Sequence, residues 1–237
     1  MINLCKKRIV VTGGAGFLGT SVCKTLLSRG VPKNQIFVPR KKDYNLTNED
    51  DVVRLYDDFC PEIVIHLAAD VGGIGANMSH PGQFFYSNMA MGLHLIEHGR
   101  LRNIEKFVHT GTVCAYPKHC PTPFQEEDIW NGYPEETNAP YGVAKKALFV
   151  MLDGYHQEYG LKSAVVVPVN LYGPGDNFNP ASSHVIPALI HKCEEARLHG
   201  HREINCWGTG RATRQFLYVD DAAEAIIRAA ERIEQPA

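Results

Sequence analysis

The sequence lacks a charge excess of either sign. Lys and Arg total 24 against 26 Asp and Glu, a formal net charge of −2. No general nucleic-acid or membrane surface is therefore expected, and an anionic ligand must be met by a local positive cluster. Long apolar runs are also missing: the runs present are strand-length, well short of a membrane span. The opening Met1 to Arg8 has too short an apolar stretch for a signal peptide. The seven cysteines are odd in number and contain no CxxC pair, which argues against a disulfide framework and against a zinc site. No metal is expected, and the thiols read as reduced fillers of a cytoplasmic protein. Internal repeats, low-complexity tracts and linkers are absent too. What is present suffices for a core: 44% of the 237 residues are hydrophobic, and only 21% are charged.

Strand-like and helix-like segments alternate. Residues 8–12, 35–38, 63–67, 106–110, 163–169, 204–207 and 215–219 read as strands. Residues 17–29, 48–58, 83–98, 141–159, 185–198 and 221–232 read as helices. Thr47 and Asn48 are candidate N-caps with acids in the first turn behind them, and Asp220-Asp221 reads as a capped helix start rather than an acid pair for catalysis. Residues 117–140 and 170–183 read as loops, and long loops in compact domains are often functional. This rhythm predicts an α/β fold, a parallel sheet covered by helices on both faces.

The first strand runs into Gly13-Gly14-Ala15-Gly16-Phe17-Leu18-Gly19. Glycines at 13, 16 and 19 permit a tight turn and close approach of a pyrophosphate, and the following helix offers free N–H groups and its positive dipole end. A lone glycine pattern is weak; the strand before it and the helix after it give it weight. The fold is thus expected to be a Rossmann-type doubly wound parallel sheet, with Phe17 and Leu18 beside the dinucleotide. Dinucleotide sites that take NAD tend to place an acid about 20 residues on. Here the second strand ends in Arg40-Lys41-Lys42. Arg40, whose guanidinium fork suits phosphate, can meet a 2′-phosphate, so NADP(H) is the expected cofactor. Leu67, Ala68 and Ala69 end the third strand, where small residues let the backbone pass close to the cofactor.

Tyr141 and Lys145 stand four apart on one helix face. A nearby ammonium favours the phenolate, so the Tyr141 phenol is expected below its usual value near 10. Thr112 follows the fourth strand, at the carboxyl end where open α/β sheets bind ligands, and offers a hydroxyl to the same substrate oxygen.

The glycine motif, Thr112, Tyr141 and Lys145, in that order and element context, resemble the extended short-chain dehydrogenase/reductases. More narrowly, the sequence is similar to the GDP-L-fucose synthases, the GDP-4-keto-6-deoxymannose 3,5-epimerase/4-reductases. That likeness rests on His66-Leu67-Ala68-Ala69 with Val71-Gly72-Gly73-Ile74, Cys114 with Tyr116-Pro117-Lys118, and Thr137-Asn138-Ala139-Pro140-Tyr141. It extends through Asn170-Leu171-Tyr172-Gly173-Pro174-Gly175-Asp176-Asn177-Phe178, Ser183 to Leu189, Trp207 to Gly210, and Arg214-Gln215-Phe216. The resemblance implies C4 reduction served by Tyr141, Lys145 and Thr112, with Cys114 and His184 as the acid/base pair at C3 and C5. It implies Val169 among the cofactor residues and Lys192 and Arg214 on the sugar-nucleotide diphosphate. Asn170, Asn177, His184 and Trp207 then line the substrate site. It further implies a GDP-sugar substrate and a homodimer through the helices at 83–98 and 141–159. Residues 1–170 would form the NADP-binding Rossmann domain. Residues 171–237 would form substrate-lobe elements interleaved with its last strand and helix. Family members generally run considerably further than Ala237, so the lobe is expected to be incomplete.

One residue departs from the pattern, and three rival readings stand beside it. Serine is more usual where Thr112 stands, although threonine keeps the hydroxyl. A sugar-nucleotide 4-epimerase would share Thr112, Tyr141 and Lys145 but would not need Cys114 with His184. A 4,6-dehydratase generally carries an acidic pair just after the threonine, where Val113-Cys114 stand. A non-catalytic dinucleotide-binding protein is the rival of a different class, and its relatives often lose the Tyr/Lys pair that this chain retains.

Overall fold

The computed structural model describes residues 1–72, 74–180, 183–206, 208–211 and 213–236. Five parallel strands form the main sheet among them: β1 (Ile9–Thr12), β2 (Ile36–Phe37), β3 (Ile63–His66), β4 (Lys106–Thr110) and β5 (Ser163–Val166), in the order β2-β1-β3-β4-β5. Helices α1 (Phe17–Ser28), α2 (Glu49–Phe59), α3 (Ile74–Ser79), α4 (Pro81–Leu101) and α5 (Ala139–Tyr159) fill the connections, and α6 (Val185–Leu198) and α7 (Val219–Arg232) follow.

The strands are apolar on both faces because both faces are covered. Successive side chains alternate across β1. Ile9 and Val11 join Ile63, Ile65 and Val108 under Val22 and Leu26 of α1 and Ile226 and Ile227 of α7. Val10 points the other way, joining Val64 and Phe107 under Leu55 of α2, Leu95 of α4 and Leu148 of α5. Local signals set the helix ends. Asn48 caps α2 by accepting from the Asp51 N–H at 3.2 Å, with Glu49, Asp50 and Asp51 in the first turn, and Cys60 closes it in the left-handed region at φ 47°.

The chain moves outward from β1 to β2 and then returns across β1 to β3. That reversal opens a crevice at the carboxyl ends of β1 and β3, the place where doubly wound sheets bind ligands.

Two strand expectations are corrected. The apolar segment 163–169 is not one strand: β5 ends at Val166, and pairing resumes in a separate parallel pair, β6 (Asn170–Tyr172) with β7 (Phe216–Tyr218). Pro168 lies between them and has no N–H for a ladder. Residues 204–206 form no strand, and Trp207 lies outside the described residues. The Asn205 carbonyl instead accepts from Lys192 Nζ at 2.8 Å.

Candidate active site

The glycine turn meets the end of β3. Gly13 sits at φ +71°, and a Cβ there would lie 2.7 Å from the Ala68 nitrogen and 2.9 Å from the Leu67 carbonyl carbon. A Cβ on Gly19 would lie 2.1 Å from the Gly13 oxygen, so α1 packs onto the turn only through glycine. Gly16 is the N-cap of α1 and makes no side-chain cap, which leaves the first-turn N–H groups around Phe17 and Leu18 directed at the crevice. Gly13, Gly16, Gly19, Leu67 and Ala68 thus converge on one place, with Ala69 exposed just beyond. These residues fit a dinucleotide: the cradle is one a Cβ would fill, and the helix end is free for phosphate. Val38 packs against Gly14, which brings the end of β2 to the same edge, and Arg40 is exposed two residues on.

The second half of the site hangs from β4. The Gly111 N–H donates to the Val166 oxygen at 2.8 Å, and the chain then turns through Thr112, whose Oγ1 accepts from the Cys114 N–H at 3.2 Å. The turn at Val113–Ala115 rests directly on α5: a Cβ at Gly142 would lie 2.3 Å from the Cys114 oxygen. Only glycine allows that approach, so Gly142 sets the spacing between Cys114 and its own neighbour Tyr141. Thr112, Tyr141 and Lys145 are all buried, and Cys114 is half-buried.

The expected depression of the Tyr141 phenol is corrected. Burial pushes it up to about 12, the nearby Cys114 thiol adds to that, and a hydrogen bond from Thr112 pulls the other way without overcoming it. Burial drives Lys145 in the opposite sense, down to about 7. Loss of hydration penalises whichever form carries charge, and it is the largest cause for both groups.

A row of polar side chains that the sequence reading did not single out lies beneath this pair. Thr12, His66 and His109 occupy the same level of β1, β3 and β4. Thr12 Oγ1 is 2.8 Å from His66 Nδ1 and accepts from the Ala68 N–H at 3.3 Å. The His66 and His109 rings stack with centroids 5.6 Å apart, and His109 meets Phe149 of α5 edge-on at 5.7 Å. Both imidazoles are held well below their usual range, first by burial and then by the charge of Lys145. Neither ring nitrogen of His109 has a hydrogen-bond partner among the described residues.

The remaining positions are more dispersed. Val169 is half-buried between β5 and β6. Asn170 donates from Nδ2 to the Gln215 oxygen at 3.1 Å, which brings it beside Arg214, itself exposed. Asn177 is exposed and accepts from the Asn179 N–H at 3.0 Å. His184 is exposed at the N-cap of α6, and no hydrogen bond joins it to Cys114 among the described residues. Lys192 lies two turns along the same helix.

Residues 9–237 match the NAD dependent epimerase/dehydratase family. The chain is 37% identical over 227 residues to the GDP-L-fucose synthase of Sinorhizobium fredii, spanning 96% of this chain and 71% of that protein. It is 36% identical over 231 residues to the GDP-L-fucose synthase of Escherichia coli K12, spanning 96% and 70%. Among solved structures, the GDP-L-fucose synthetase of Naegleria fowleri bound to NADP superposes with a TM-score of 0.86 at 29% identity, covering 100% of this chain and 72% of that one. The chain therefore belongs to the NAD dependent epimerase/dehydratase family, in the group of the GDP-L-fucose synthases and their near relatives.

Proposed function

We propose that this chain is an NADPH-dependent epimerase/reductase of a GDP-4-keto-6-deoxy sugar, making GDP-L-fucose or a close analogue. The observation that carries the reading is the packing of the Thr112–Cys114 turn onto α5 through Gly142, which sets a hydroxyl, a thiol and a phenol side by side at the carboxyl end of β4. The glycine turn and Arg40 would hold NADPH, which would supply the hydride for C4. Tyr141 gives the proton to the C4 oxygen, Thr112 holds that oxygen, and Lys145 returns the proton to Tyr141. The C4 ketone acidifies the C3 and C5 protons. Cys114 and His184 act as the pair that removes a proton from carbon and delivers one from the opposite face. Lys192 and Arg214 neutralise the diphosphate, and Asn170, Asn177 and Trp207 line the sugar and nucleoside.

In this reading residues 1–170 hold the cofactor, and 171–237 supply sugar-nucleotide lobe elements interleaved with the last strand and helix of the cofactor domain. Phe85, Tyr86 and Leu93 of α4 and Val150 of α5 are exposed apolar side chains on adjacent helices, and they suit a homodimer face. No helix among the described residues is long and apolar enough to cross a membrane, and we place the enzyme in the cytoplasm.

The test mixes the protein with NADPH and GDP-4-keto-6-deoxymannose and follows the nicotinamide absorbance. Oxidation that disappears in Tyr141→Phe, with epimerised product missing in Cys114→Ser, supports the reading. No oxidation despite tight NADPH binding refutes it for this sugar. A second reading, a 4-ketoreductase without epimerisation, is favoured by one observation: among the described residues, Cys114 and His184 are not joined by a hydrogen bond. Reduction by the unmodified protein, with the C3 and C5 configuration of the product unchanged from substrate, would select it.

A further inference from the structure

Asparagine at a helix N-cap ordinarily turns its side chain back to accept from the N–H groups of its own first turn. Asn138 is the N-cap of α5, the helix that carries Tyr141, and it makes no such cap. Its Oδ1 accepts from Asn77 Nδ2 at 3.1 Å, and its Nδ2 donates to Glu135 Oε2 at 2.9 Å. Asn77, on α3, is 61 residues away in sequence and only 5% exposed, and the same Nδ2 donates to the Gly72 oxygen at 3.1 Å. Gly72 ends the segment that begins with Leu67 and Ala68 against Gly13. Asn88 of α4 holds the middle of that segment, accepting from the Asp70 N–H at 3.1 Å and donating to the Asp70 oxygen at 2.7 Å. One chain of hydrogen bonds therefore runs from the turn beside the glycine cradle, through Asn77 and Asn138, to the first turn of α5. There the Gly142 N–H closes onto the Asn138 oxygen at 2.8 Å.

We infer that Asn77 and Asn138 are positioning residues that fix Tyr141 relative to the dinucleotide turn. An amide suits position 138 because it accepts from Asn77 and donates to Glu135 at once, and at 77 its Nδ2 donates to both Gly72 and Asn138. A carboxylate at 77 would face the Asn138 oxygen, and an alanine would take the donor from both the Gly72 carbonyl and that oxygen, which are half-buried. The loss of a local cap in favour of a link between distant segments is the kind of local-rule violation expected where geometry serves a site. The significance for catalysis rests on the proposed role of Tyr141; the link itself does not.

The test has two parts. In the protein without added nucleotide, Asn77→Ala speeds amide hydrogen exchange in residues 142–146 of α5, and Asn138→Ala reciprocally speeds it in residues 75–79 of α3. In the keto-sugar assay each alanine variant lowers kcat by about tenfold or more with a smaller change in KM, since small misplacements of a reacting group are costly. Their combination is no worse than the worse single variant, because both break one link. Unchanged exchange in α5 on Asn77→Ala overturns the link. Coupled exchange with kcat untouched, or with additive losses, overturns the positioning role. Coupled exchange in a protein whose wild type does not oxidise NADPH with the keto-sugar overturns the proposed function and leaves the link standing.

Discussion

Lys145 ought to destabilise the protein that depends on it. Its side chain is 2% exposed, burial is the only cause of its depressed proton affinity, and that affinity falls from 10.5 to about 7. At pH 7 the unfolded chain holds this lysine fully charged, while the folded chain holds it about half charged. The linkage relation converts the difference to a penalty of about 4 kcal/mol, an appreciable share of a typical domain's net stability. Lys145→Met keeps the volume and removes the ionisation, so it should stabilise by a few kcal/mol at pH 7 while abolishing turnover. The sign of the pH dependence follows. Between pH 7 and 10.5 the unfolded state binds the lysine proton and the folded state has released it, so wild-type stability climbs relative to Lys145→Met and the gap closes near pH 10. Denaturant unfolding of both proteins at pH 7 and pH 10, without nucleotide, measures it. A variant less stable than wild type at pH 7, or a gap that persists unchanged at pH 10, would refute the reasoning.

His66 and His109 are buried as neutral rings with affinities pushed below 6.5, so their contribution is intact above that pH and lost as pH falls below it. Urea unfolding between pH 7 and 5 should lose stability at up to about 1.4 kcal/mol per unit for each ring, and His109→Leu should flatten that limb. Gly19→Ala forces a Cβ to 2.1 Å from the Gly13 oxygen. It should cost about 1–3 kcal/mol by overpacking and abolish NADPH binding measured by nicotinamide fluorescence. Gly142→Ala drives a Cβ to 2.3 Å from the Cys114 oxygen. It should cut kcat about a hundredfold while NADPH still binds, because the Thr112 turn must move off Tyr141. Arg40→Ala should weaken NADPH at least about tenfold and leave NADH unchanged, read as the ratio of dissociation constants, if its guanidinium holds the 2′-phosphate.

The parts of the site that were legible in the sequence are those written in short local patterns. Glycines 13, 16 and 19 announce themselves because a strand, a turn and a helix meet there within ten residues, and Tyr141 and Lys145 because one helical turn separates them. The row of Thr12, His66 and His109 was not legible: each looks like a strand residue, and only the register of three parallel strands sets them side by side. A signal existed, since each is a polar residue in a strand that otherwise reads as buried on both faces. Gly142 was read past because its need for a bare Cα comes from the Cys114 carbonyl, 28 positions earlier in the chain. Pro168 did carry a local signal that the long apolar run 163–169 obscured. The depressed phenol expected of Tyr141 failed for a different reason. Spacing gives proximity of Lys145 but says nothing of solvent, and solvent exclusion reversed the sign.

That reversal suits reduction better than the arrangement the sequence suggested. A phenol that gives its proton to a developing alkoxide must be protonated when the reaction starts, and a Tyr141 held near 12 is protonated at any physiological pH. Once the proton has gone, the buried phenolate is the strained species. Lys145, with an affinity near 7, is the weaker proton holder of the two, so a protonated Lys145 passes its proton to the phenolate downhill. Lys145 itself then stands neutral in a pocket that penalises its charge. The two stacked imidazoles behind it share the same restriction: burial and then the charge of Lys145 hold both down, and His66 adds to this for His109. With three cation-forming groups packed together and held near or below neutrality by burial, the cluster disfavours a second positive charge. The proton needed by Tyr141 is therefore held one helical turn away, on a lysine that is about half protonated at pH 7.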